Sequence, residues 1–242
     1  MRLDGQVALI SGASRGLGLA IARALAAEGA SISCVARAGD ALEQAVEGLR
    51  AAGTDALAAP ADVTVAAEIE GAARATLERW GRLDIVVLNA GTWQGAPVHE
   101  TSEELWDTLL DLNLKGAFLT LKATLPWLIE QKRGTIVGVG SLGGRVGQPG
   151  AAAYAASKWG LRGLLESVAL EVKPHRIRVS IVSPHSVNSA GRRIEPGSPE
   201  RDRVLEPAEV ASLVAFICAA PEHVALGDVT IWPVSAGIVS RG

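Results

Sequence analysis

The sequence is poor in cysteine and histidine, two residue types on which disulfide and metal frameworks depend. Its two cysteines, Cys34 and Cys218, lie in apolar runs of a 242-residue chain. A buried free thiol is the usual state of such a residue, so neither a disulfide framework nor a cysteine metal site is expected. The four histidines show no metal-ligand spacing. The sequence therefore predicts no metal site.

Long apolar runs and a strong charge bias are also missing. No run reaches the roughly 20 residues that a membrane-spanning helix needs, and the N-terminus lacks the apolar stretch of a signal peptide. The net charge of −3 argues against a nucleic-acid partner, which would need a basic surface. With 48% hydrophobic and 20% charged residues, the composition is that of a globular protein. We expect a soluble cytoplasmic domain of the size of an enzyme, without a membrane partner.

Short apolar runs alternate with helical patterns along the whole chain. The predicted strands are residues 6–11, 31–36, 56–61, 83–88, 135–139, 177–182 and 229–232. The predicted helices are residues 16–28, 40–52, 68–80, 102–131, 152–173 and 207–219. Continuous apolar strands that alternate with helices indicate a parallel sheet covered on both faces. The sequence thus predicts an α/β fold, a doubly wound parallel sheet of seven strands in one domain over residues 1–242, with a polar loop at residues 184–206.

A glycine-rich turn follows the first strand and opens the first helix. Gly12, Gly16 and Gly18 stand in this turn with Ser14, Arg15 and Leu17 between them. Glycines let the backbone approach a pyrophosphate closely, and the free N–H groups of a helix N-terminus bind anions. The strand–turn–helix context predicts a dinucleotide site rather than a merely structural turn.

The end of the second strand bears on which dinucleotide is bound. A site for NAD(H) usually has an acidic residue there, which binds the ribose 2′-hydroxyl. This chain has Ala36 followed by Arg37, and Arg15 of the glycine turn could converge on the same place. Two guanidinium groups suit a 2′-phosphate, so NADP(H) is favoured over NAD(H). The alternative is that both arginines are solvated surface residues.

Tyr154, the only tyrosine of the chain, precedes Lys158 by four residues in a helical pattern. That spacing places both side chains on one helix face. A neighbouring ammonium lowers the pKa of a phenol, which would make Tyr154 a usable acid or base near neutral pH.

At this point the sequence resembles the short-chain dehydrogenase/reductase family over nearly its whole length. The matching motifs are the glycine turn, Asp62-Val63, Asn89-Ala90-Gly91, Asn113, Ser141 and the Tyr154–Lys158 pair. The resemblance implies a Rossmann-fold oxidoreductase that moves a hydride between a nicotinamide and a carbonyl or alcohol. The implied cofactor-binding residues are Gly12, Ser14, Arg15, Gly16, Leu17, Gly18, Arg37, Asp62, Val63, Asn89, Ala90, Gly91, Tyr154, Lys158, Pro184, Val187 and Ser189.

The resemblance also implies the catalytic roles. Tyr154 exchanges a proton with the substrate oxygen, and Ser141 hydrogen-bonds and polarises that oxygen. Lys158 lowers the pKa of Tyr154 and holds the nicotinamide ribose. Asn113 holds a water that links Lys158 to solvent.

The chain departs from the family pattern after the sixth strand. His185 replaces a glycine and Ser189 replaces a threonine in the stretch that begins at Pro184. His185 is either a polar substrate contact or a neutral substitution, and it would be strained if the backbone there had a positive φ. Trp93, just after Gly91, is expected as an apolar wall of the substrate pocket. Substrate contacts are therefore assigned to Ser141, Trp93 and His185.

The C-terminal part resembles a subgroup that reduces small aldehydes or oxidises 3-hydroxy acids with NADP. Two other functions stay open: a 3-oxoacyl-(acyl-carrier-protein) reductase, and a non-catalytic NADP-binding protein on the same fold. The former would need a basic patch, for which Arg133, Arg145 and Arg162 are scattered candidates. The resemblance further implies a homodimer or homotetramer formed through the helices at residues 102–131 and 152–173.

Overall fold

A computed structural model, which describes residues 2–189, 194, 195, 198 and 200–236, contains one sheet of seven parallel strands. The strands are β1 (Val7–Ser11), β2 (Ser31–Ala36), β3 (Ala56–Pro60), β4 (Ile85–Leu88), β5 (Gly134–Val139), β6 (Ile177–Pro184) and β7 (Asp228–Ile231). Their order across the sheet is β3-β2-β1-β4-β5-β6-β7. The predicted fold class is confirmed.

Helices cover both faces of this sheet. They are α1 (Gly16–Ala27), α2 (Asp40–Ala51), α3 (Ala66–Trp80), α4 (Glu103–Leu110), α5 (Gly116–Gln131), α6 (Ala152–Val172) and α7 (Pro207–Cys218). The single helix predicted at residues 102–131 is wrong in one respect, because a π-helical turn at Asp111–Lys115 separates α4 from α5. Periodicity could not predict this turn, because its residues are equally compatible with an α-helix and with a π-helical turn. Among the described residues, no helix has the length and apolar character needed to cross a bilayer.

The core consists of two apolar layers, one on each face of the sheet. On one face Ile21 of α1, Leu42 of α2 and Val214 of α7 are buried against the strands. On the other face α3, α5 and α6 supply buried side chains such as Ile69 and Leu165. Every residue of β1 and β4 is buried, as expected for strands covered on both sides. Full burial of such an aliphatic side chain contributes about 1.5–3 kcal/mol.

A charge cluster stabilises the end of the sheet at which the N-termini of β1 and β4 lie. The Asp84 side chain is 4% exposed and accepts hydrogen bonds from Val7 N (2.9 Å), Arg82 Nε (2.8 Å) and Arg133 Nη2 (2.7 Å). Burial alone would raise the pKa of Asp84, but these hydrogen bonds outweigh it and hold the pKa below its usual range.

The opposite end of the sheet, at the carboxyl ends of the strands, is where doubly wound folds have the crevice that binds ligands. The chain order reverses at β1, which lies between β2 and β4. Connections that leave β1 and β4 therefore run to opposite faces, and a gap opens at the carboxyl ends of these strands. Ser11 is the last residue of β1, and Asn89 and Ser141 follow the ends of β4 and β5 on the same side of the sheet.

Candidate active site

The glycine turn (residues 12–18) is packed so tightly that two of its glycines tolerate no side chain. A Cβ on Gly12 would lie 2.9 Å from the Cα of Ala90, and one on Gly18 would lie 2.1 Å from the carbonyl oxygen of Gly12. Gly12 and Gly16 also have positive φ angles of 70° and 57°, a conformation that suits glycine. This packing places the start of α1 directly at the crevice.

The N-terminus of α1 is open to an anion. Arg15 is the residue that precedes the helix, and its side chain makes no capping hydrogen bond to the first turn. The first turn contains no acidic residue. The free N–H groups and the helix dipole of this turn therefore suit the pyrophosphate of a dinucleotide. Ser14 lies in the turn and Leu17 in this first helical turn.

Asn89 and Ser11 hold the turn against the end of β4. The Asn89 side-chain nitrogen donates to the carbonyl oxygens of Ser11 (2.9 Å) and Gly12 (3.2 Å). The Ser11 hydroxyl accepts from the N–H groups of Asn89 (3.0 Å) and Ala90 (3.1 Å). Sequence reasoning found Asn89 and Ala90 but missed Ser11, whose position at the last residue of a buried strand was the available signal.

Arg15 and Arg37 are both exposed near the same crevice. Among the described residues neither forms a salt bridge. Hydrogen bonds from Thr64 lower the pKa of Asp62, and the charge of Arg37 acts in the same direction. Arg37 thus lies close to Asp62, after β3. Val63, the next residue, is buried against the start of α5, since a Cβ on Gly116 would lie 2.7 Å from Val63 Cγ2.

Ser141 and Tyr154 come together beyond the end of β5. Ser141 begins a 3-10 turn at Leu142–Gly144, and its hydroxyl accepts from the Gly143 N–H at 3.1 Å. Tyr154 lies in the first turn of α6. Burial raises the pKa of Tyr154, while a hydrogen bond with the Ser141 side chain acts in the opposite direction. The two hydroxyl groups predicted to face the substrate oxygen are therefore neighbours.

Lys158 is one helical turn further along α6 and is buried, with 6% exposure. Its Nζ donates to the Val139 carbonyl oxygen at 3.0 Å and lies 5.9 Å from the centroid of the Tyr154 ring. Burial lowers the pKa of Lys158 to about 8. Burial of the phenol makes the net shift of the Tyr154 pKa upward, and the lowering of this pKa by the Lys158 charge stays a prediction.

Asn113 lies in the π-turn and uses its side chain as a clamp. Its Oδ1 accepts from the Thr92 N–H (2.8 Å), and its Nδ2 donates to the Thr92 carbonyl (3.0 Å) and to the Ser157 hydroxyl (3.0 Å). Gly91 is packed between the two polar groups, because a Cβ there would lie 2.9 Å from Asn113 Oδ1 and 3.5 Å from Lys158 Nζ. Asn113, Gly91 and Lys158 thus form one contiguous group.

The segment after β6 reaches the glycine turn. A Cβ on Gly16 would lie 3.9 Å from the Cβ of Ser189. Pro184 is the last residue of β6 and pairs with Ile231, and Val187 forms a β-bridge with Leu205. The predicted loop at residues 184–206 is described only in part, since residues 190–193, 196, 197 and 199 lie outside the described residues.

His185 and Trp93 have ordinary local structure. Among the described residues other than glycine, only Lys132 and Arg176 have a positive φ, so the strain considered for His185 does not arise. The His185 N–H donates to the Ile231 carbonyl oxygen at 2.9 Å. Trp93 is 65% exposed.

Ser157 was also missed by sequence reasoning. It is fully buried, and its hydroxyl donates to the Tyr154 carbonyl at 2.7 Å while it accepts from Asn113. A serine three residues after the tyrosine, on the buried side of the helix, was the signal.

Comparisons with known proteins identify the family to which the chain belongs. The model of the short chain dehydrogenase family matches residues 6–195. A glycine betaine reductase of Emericella nidulans is 34% identical over 239 residues, which are 96% of this chain but only 19% of that protein. An uncharacterized oxidoreductase of Listeria monocytogenes is 32% identical over 245 residues, covering 97% of this chain and 99% of the relative. A 3-oxoacyl-[acyl-carrier-protein] reductase of Synechocystis is 34% identical over 225 residues, covering 90% and 91%.

Solved structures are similar over the whole fold. An alcohol dehydrogenase from the archaeon Thermococcus sibiricus, complexed with 5-hydroxy-NADP, superimposes with a TM-score of 0.88 at 33% identity and covers 95% of this chain and 97% of its own. A metagenomic short-chain oxidoreductase in complex with NADP gives a TM-score of 0.83 at 37% identity. The match covers 96% of this chain and 98% of that structure's chain. With the family model, the full-length relatives and these structures in agreement, the chain belongs to the short-chain dehydrogenase family and is an oxidoreductase of that family.

Proposed function

We propose that this protein is an NADP(H)-dependent oxidoreductase that interconverts a carbonyl group and a secondary alcohol on a small molecule. The observation that carries the proposal is the meeting of Ser141, Tyr154 and Lys158 beyond the end of β5, at the sheet edge where the glycine turn lies. When bound, the nicotinamide supplies or accepts the hydride.

Tyr154 is the proton donor in carbonyl reduction and the proton acceptor in alcohol oxidation. Its raised pKa keeps the phenol protonated near neutral pH, which suits the donor role. Ser141 is held by the Gly143 N–H, so its own proton is free to point at the substrate oxygen. Two fixed hydroxyl donors stabilise the negative charge that develops on that oxygen.

Lys158 and Asn113 support Tyr154 from behind. The buried Lys158 ammonium, 5.9 Å from the Tyr154 ring centroid, places a positive charge beside the phenol and would hold the ribose hydroxyls of the cofactor. Both side-chain N–H groups of Asn113 are used within the protein. We therefore assign Asn113 the task of fixing the segment at Gly91 and Thr92 against α6. A water-mediated proton relay to Lys158 stays a prediction.

Preference for NADP(H) follows from the two arginines at the crevice. Arg15 and Arg37 are exposed, and neither has a salt-bridge partner among the residues that the structure describes. Both guanidinium groups are thus available to a 2′-phosphate. Structural relatives solved in complex with 5-hydroxy-NADP and with NADP support this choice.

The substrate would enter beside the segment that follows β4. This segment is joined to Gly150, just before α6, by a hydrogen bond from the Ala96 N–H to the Gly150 carbonyl oxygen (2.8 Å). We assign the exposed Trp93 to an apolar wall of this entrance and His185 to a polar contact on the opposite side. A small carbonyl compound or hydroxy acid fits the subgroup that the C-terminal part resembles.

The acyl-carrier alternative finds little support in the charges. Arg133 pairs with Asp84, and both Arg145 and Arg162 pair with Asp228. The three candidate cations are therefore occupied by carboxylates of the same chain, which leaves little free charge for an acidic carrier.

We also propose a single domain over residues 1–242 that works in the cytoplasm as a homodimer or homotetramer. The helices at residues 102–131 and 152–173, through which the subunits are expected to meet, carry exposed aromatic side chains that support assembly. They are Trp106 of α4, Phe118 and Trp127 of α5, and Trp159 of α6. A monomeric mass in light scattering would contradict it.

The function is tested with purified protein, NADPH and a panel of small ketones, diketones and aldehydes, followed by NADPH absorbance. We expect turnover by the native protein. The rate of Tyr154→Phe should be about 10²–10⁴-fold lower than that of the native protein, because the proton donor is removed. The variant should still bind NADPH, which a fluorescence titration checks. Equal rates for Tyr154→Phe and the native protein would disprove the mechanism, and NADPH binding without any turnover would favour the non-catalytic alternative.

A further inference from the structure

Two consecutive glycines in the turn after Ser141 have no assigned role. Gly143 and Gly144 belong to the turn Leu142–Gly144, and both are buried. Neither has a positive φ, so the backbone conformation does not explain why glycine is present. The explanation lies in what a side chain would meet.

Gly143 lies between the two hydroxyl-bearing groups of the proposed mechanism. A Cβ on Gly143 would lie 3.2 Å from Tyr154 Cε1, 3.4 Å from Tyr154 Cδ1 and 3.5 Å from Ser141 Oγ. Carbon atoms in van der Waals contact are about 3.5–4.0 Å apart. Any side chain would therefore push the Tyr154 ring away from Ser141 by a few tenths of an ångström.

The N–H of Gly143 acts on Ser141 in a second way. A serine hydroxyl has one proton to donate and lone pairs with which to accept. The Gly143 N–H donates to Ser141 Oγ at 3.1 Å and so occupies one of these lone pairs. The serine proton is thereby left to point at Tyr154 or at a substrate oxygen.

We infer that Gly143 is a positioning residue for the reaction: its N–H and its missing side chain together set the distance between the Ser141 hydroxyl and the Tyr154 phenol. This inference rests on the proposed function, since that distance matters only if both hydroxyls act on the same oxygen. Gly144 packs against the backbone of α6 instead, where a Cβ would lie 3.0 Å from the Lys158 carbonyl oxygen. Because backbone cannot yield easily, Gly144 is the poorer site for a test.

The test is Gly143→Ala with Gly147→Ala as the matched control. Gly147 lies in the same loop, has no positive φ, and a Cβ there would meet no atom within 4 Å. We expect Gly143→Ala to lower kcat about tenfold, because sub-ångström misplacement of reacting groups is costly. Its NADPH Kd should stay within about twofold of the native value, an expectation that follows because a positioning defect of this kind acts on the chemical step. Gly147→Ala should match the native enzyme in both.

The pH profile separates this role from general loosening of the loop. Since the hydrogen bond with Ser141 lowers the pKa of Tyr154, weakening it should raise that pKa. Alcohol oxidation needs the phenolate, so the rise of kcat with pH should move to higher pH in Gly143→Ala alone. Identical kcat and identical pH midpoints for the two alanine variants would overturn the inference.

A stability cycle covers the case in which Gly143→Ala folds poorly. Gly143→Ala should lower the thermal unfolding temperature in the native background. It should lower this temperature much less in a Tyr154→Ala background, because the ring that the new methyl group would press against is absent there. An equal loss in both backgrounds would overturn the inference. The cycle needs no turnover, so an inactive native protein would count against the proposed function alone.

Discussion

The side-chain nitrogen of Asn113 lies 3.0 Å from the Ser157 hydroxyl, and this contact joins the π-turn to the helix that carries Tyr154 and Lys158. Ser157 passes the connection on by donating to the Tyr154 carbonyl at 2.7 Å. Asn113 also holds both backbone groups of Thr92. One buried amide thus connects three separate segments of the site.

Ser157→Ala tests this connection. The substitution removes one of the three side-chain hydrogen bonds of Asn113. A buried donor left without its acceptor lowers the stability of the fold by about 1–3 kcal/mol. We expect kcat to fall about tenfold, and Asn113→Ala to fall further. In the double variant Ser157→Ala should add little to Asn113→Ala, because both act through the same amide. Ser167→Ala is the control, since Ser167 lies on the same helix and is exposed. Additive losses would contradict the connection.

Lys158→Met should stabilise the fold while it abolishes activity. The buried ammonium has a pKa lowered from 10.5 to about 8, so the folded state binds this proton more weakly than the unfolded state. The resulting penalty is full below pH 8, falls between about pH 8 and 10.5, and is absent above that range. We expect the variant to be about 1–3 kcal/mol more stable at pH 7.

Thermal unfolding across this pH range measures the effect of Lys158→Met. The advantage over the native protein should shrink as the pH rises. Lys122→Met, at an exposed position of α5, should change little. A Lys158→Met protein that is less stable at every pH would refute the argument.

Arg37→Asp should reverse the cofactor preference. The change removes a cation that is available to the 2′-phosphate and adds a carboxylate that can accept from a ribose hydroxyl. A lost charged hydrogen bond costs about 1.5–3 kcal/mol, so the Kd for NADPH should rise about 10–100-fold. Fluorescence titrations with NADPH and NADH measure this. Arg23→Asp, on the exposed side of α1, is the control. Unchanged Kd values for Arg37→Asp would mean that Arg37 is only a surface residue.

Asp84→Asn should destabilise the fold at neutral pH but much less in acid. The pKa of Asp84 is lowered in the folded state, so its carboxylate stabilises the fold above about pH 4. That contribution is lost as the pH falls through the folded-state pKa. We expect a loss of about 2–4 kcal/mol at pH 7, because the four hydrogen bonds to a buried charge are weakened.

Urea unfolding at pH 7 and at low pH compares Asp84→Asn with the native protein. Asp107→Asn, at an exposed position of α4, serves as the control. A deficit of equal size at both pH values would show that shape rather than charge matters at this position.

Sequence reasoning predicted the strands, their parallel arrangement and the position of the glycine turn. Strands buried on both faces, such as β1 and β4, are continuous apolar runs, and glycines at fixed spacing leave few alternatives. The predicted boundaries differ from the observed ones by one or two residues, apart from the long helix. The π-turn at Asp111–Lys115 depends on a tertiary contact, the Asn113 clamp, which leaves no periodic signal in the sequence.

The site residues themselves were predicted, but not the contacts that hold them. The positions of Ser11 and Ser157 left a signal in the sequence, but their partners depend on which backbone groups come within reach after folding. The pKa of Tyr154 illustrates the same limit. The charge of Lys158 was apparent from the spacing, but the burial that raises the pKa of Tyr154 is a property of the folded chain.

The π-turn also fixes how the outer surface is aligned with the site. Such a turn holds one residue more than an α-helical turn, so the chain between α4 and α5 contains in effect a single inserted residue. Removing one residue from Asp111–Lys115 would restore regular winding and rotate α4 by about 100° relative to α5. Leu109, now fully buried, would leave the core, and Trp106, 40% exposed, would turn to another face. One residue of chain length at the active site therefore decides which side of the adjoining helix α4 a neighbouring molecule can meet.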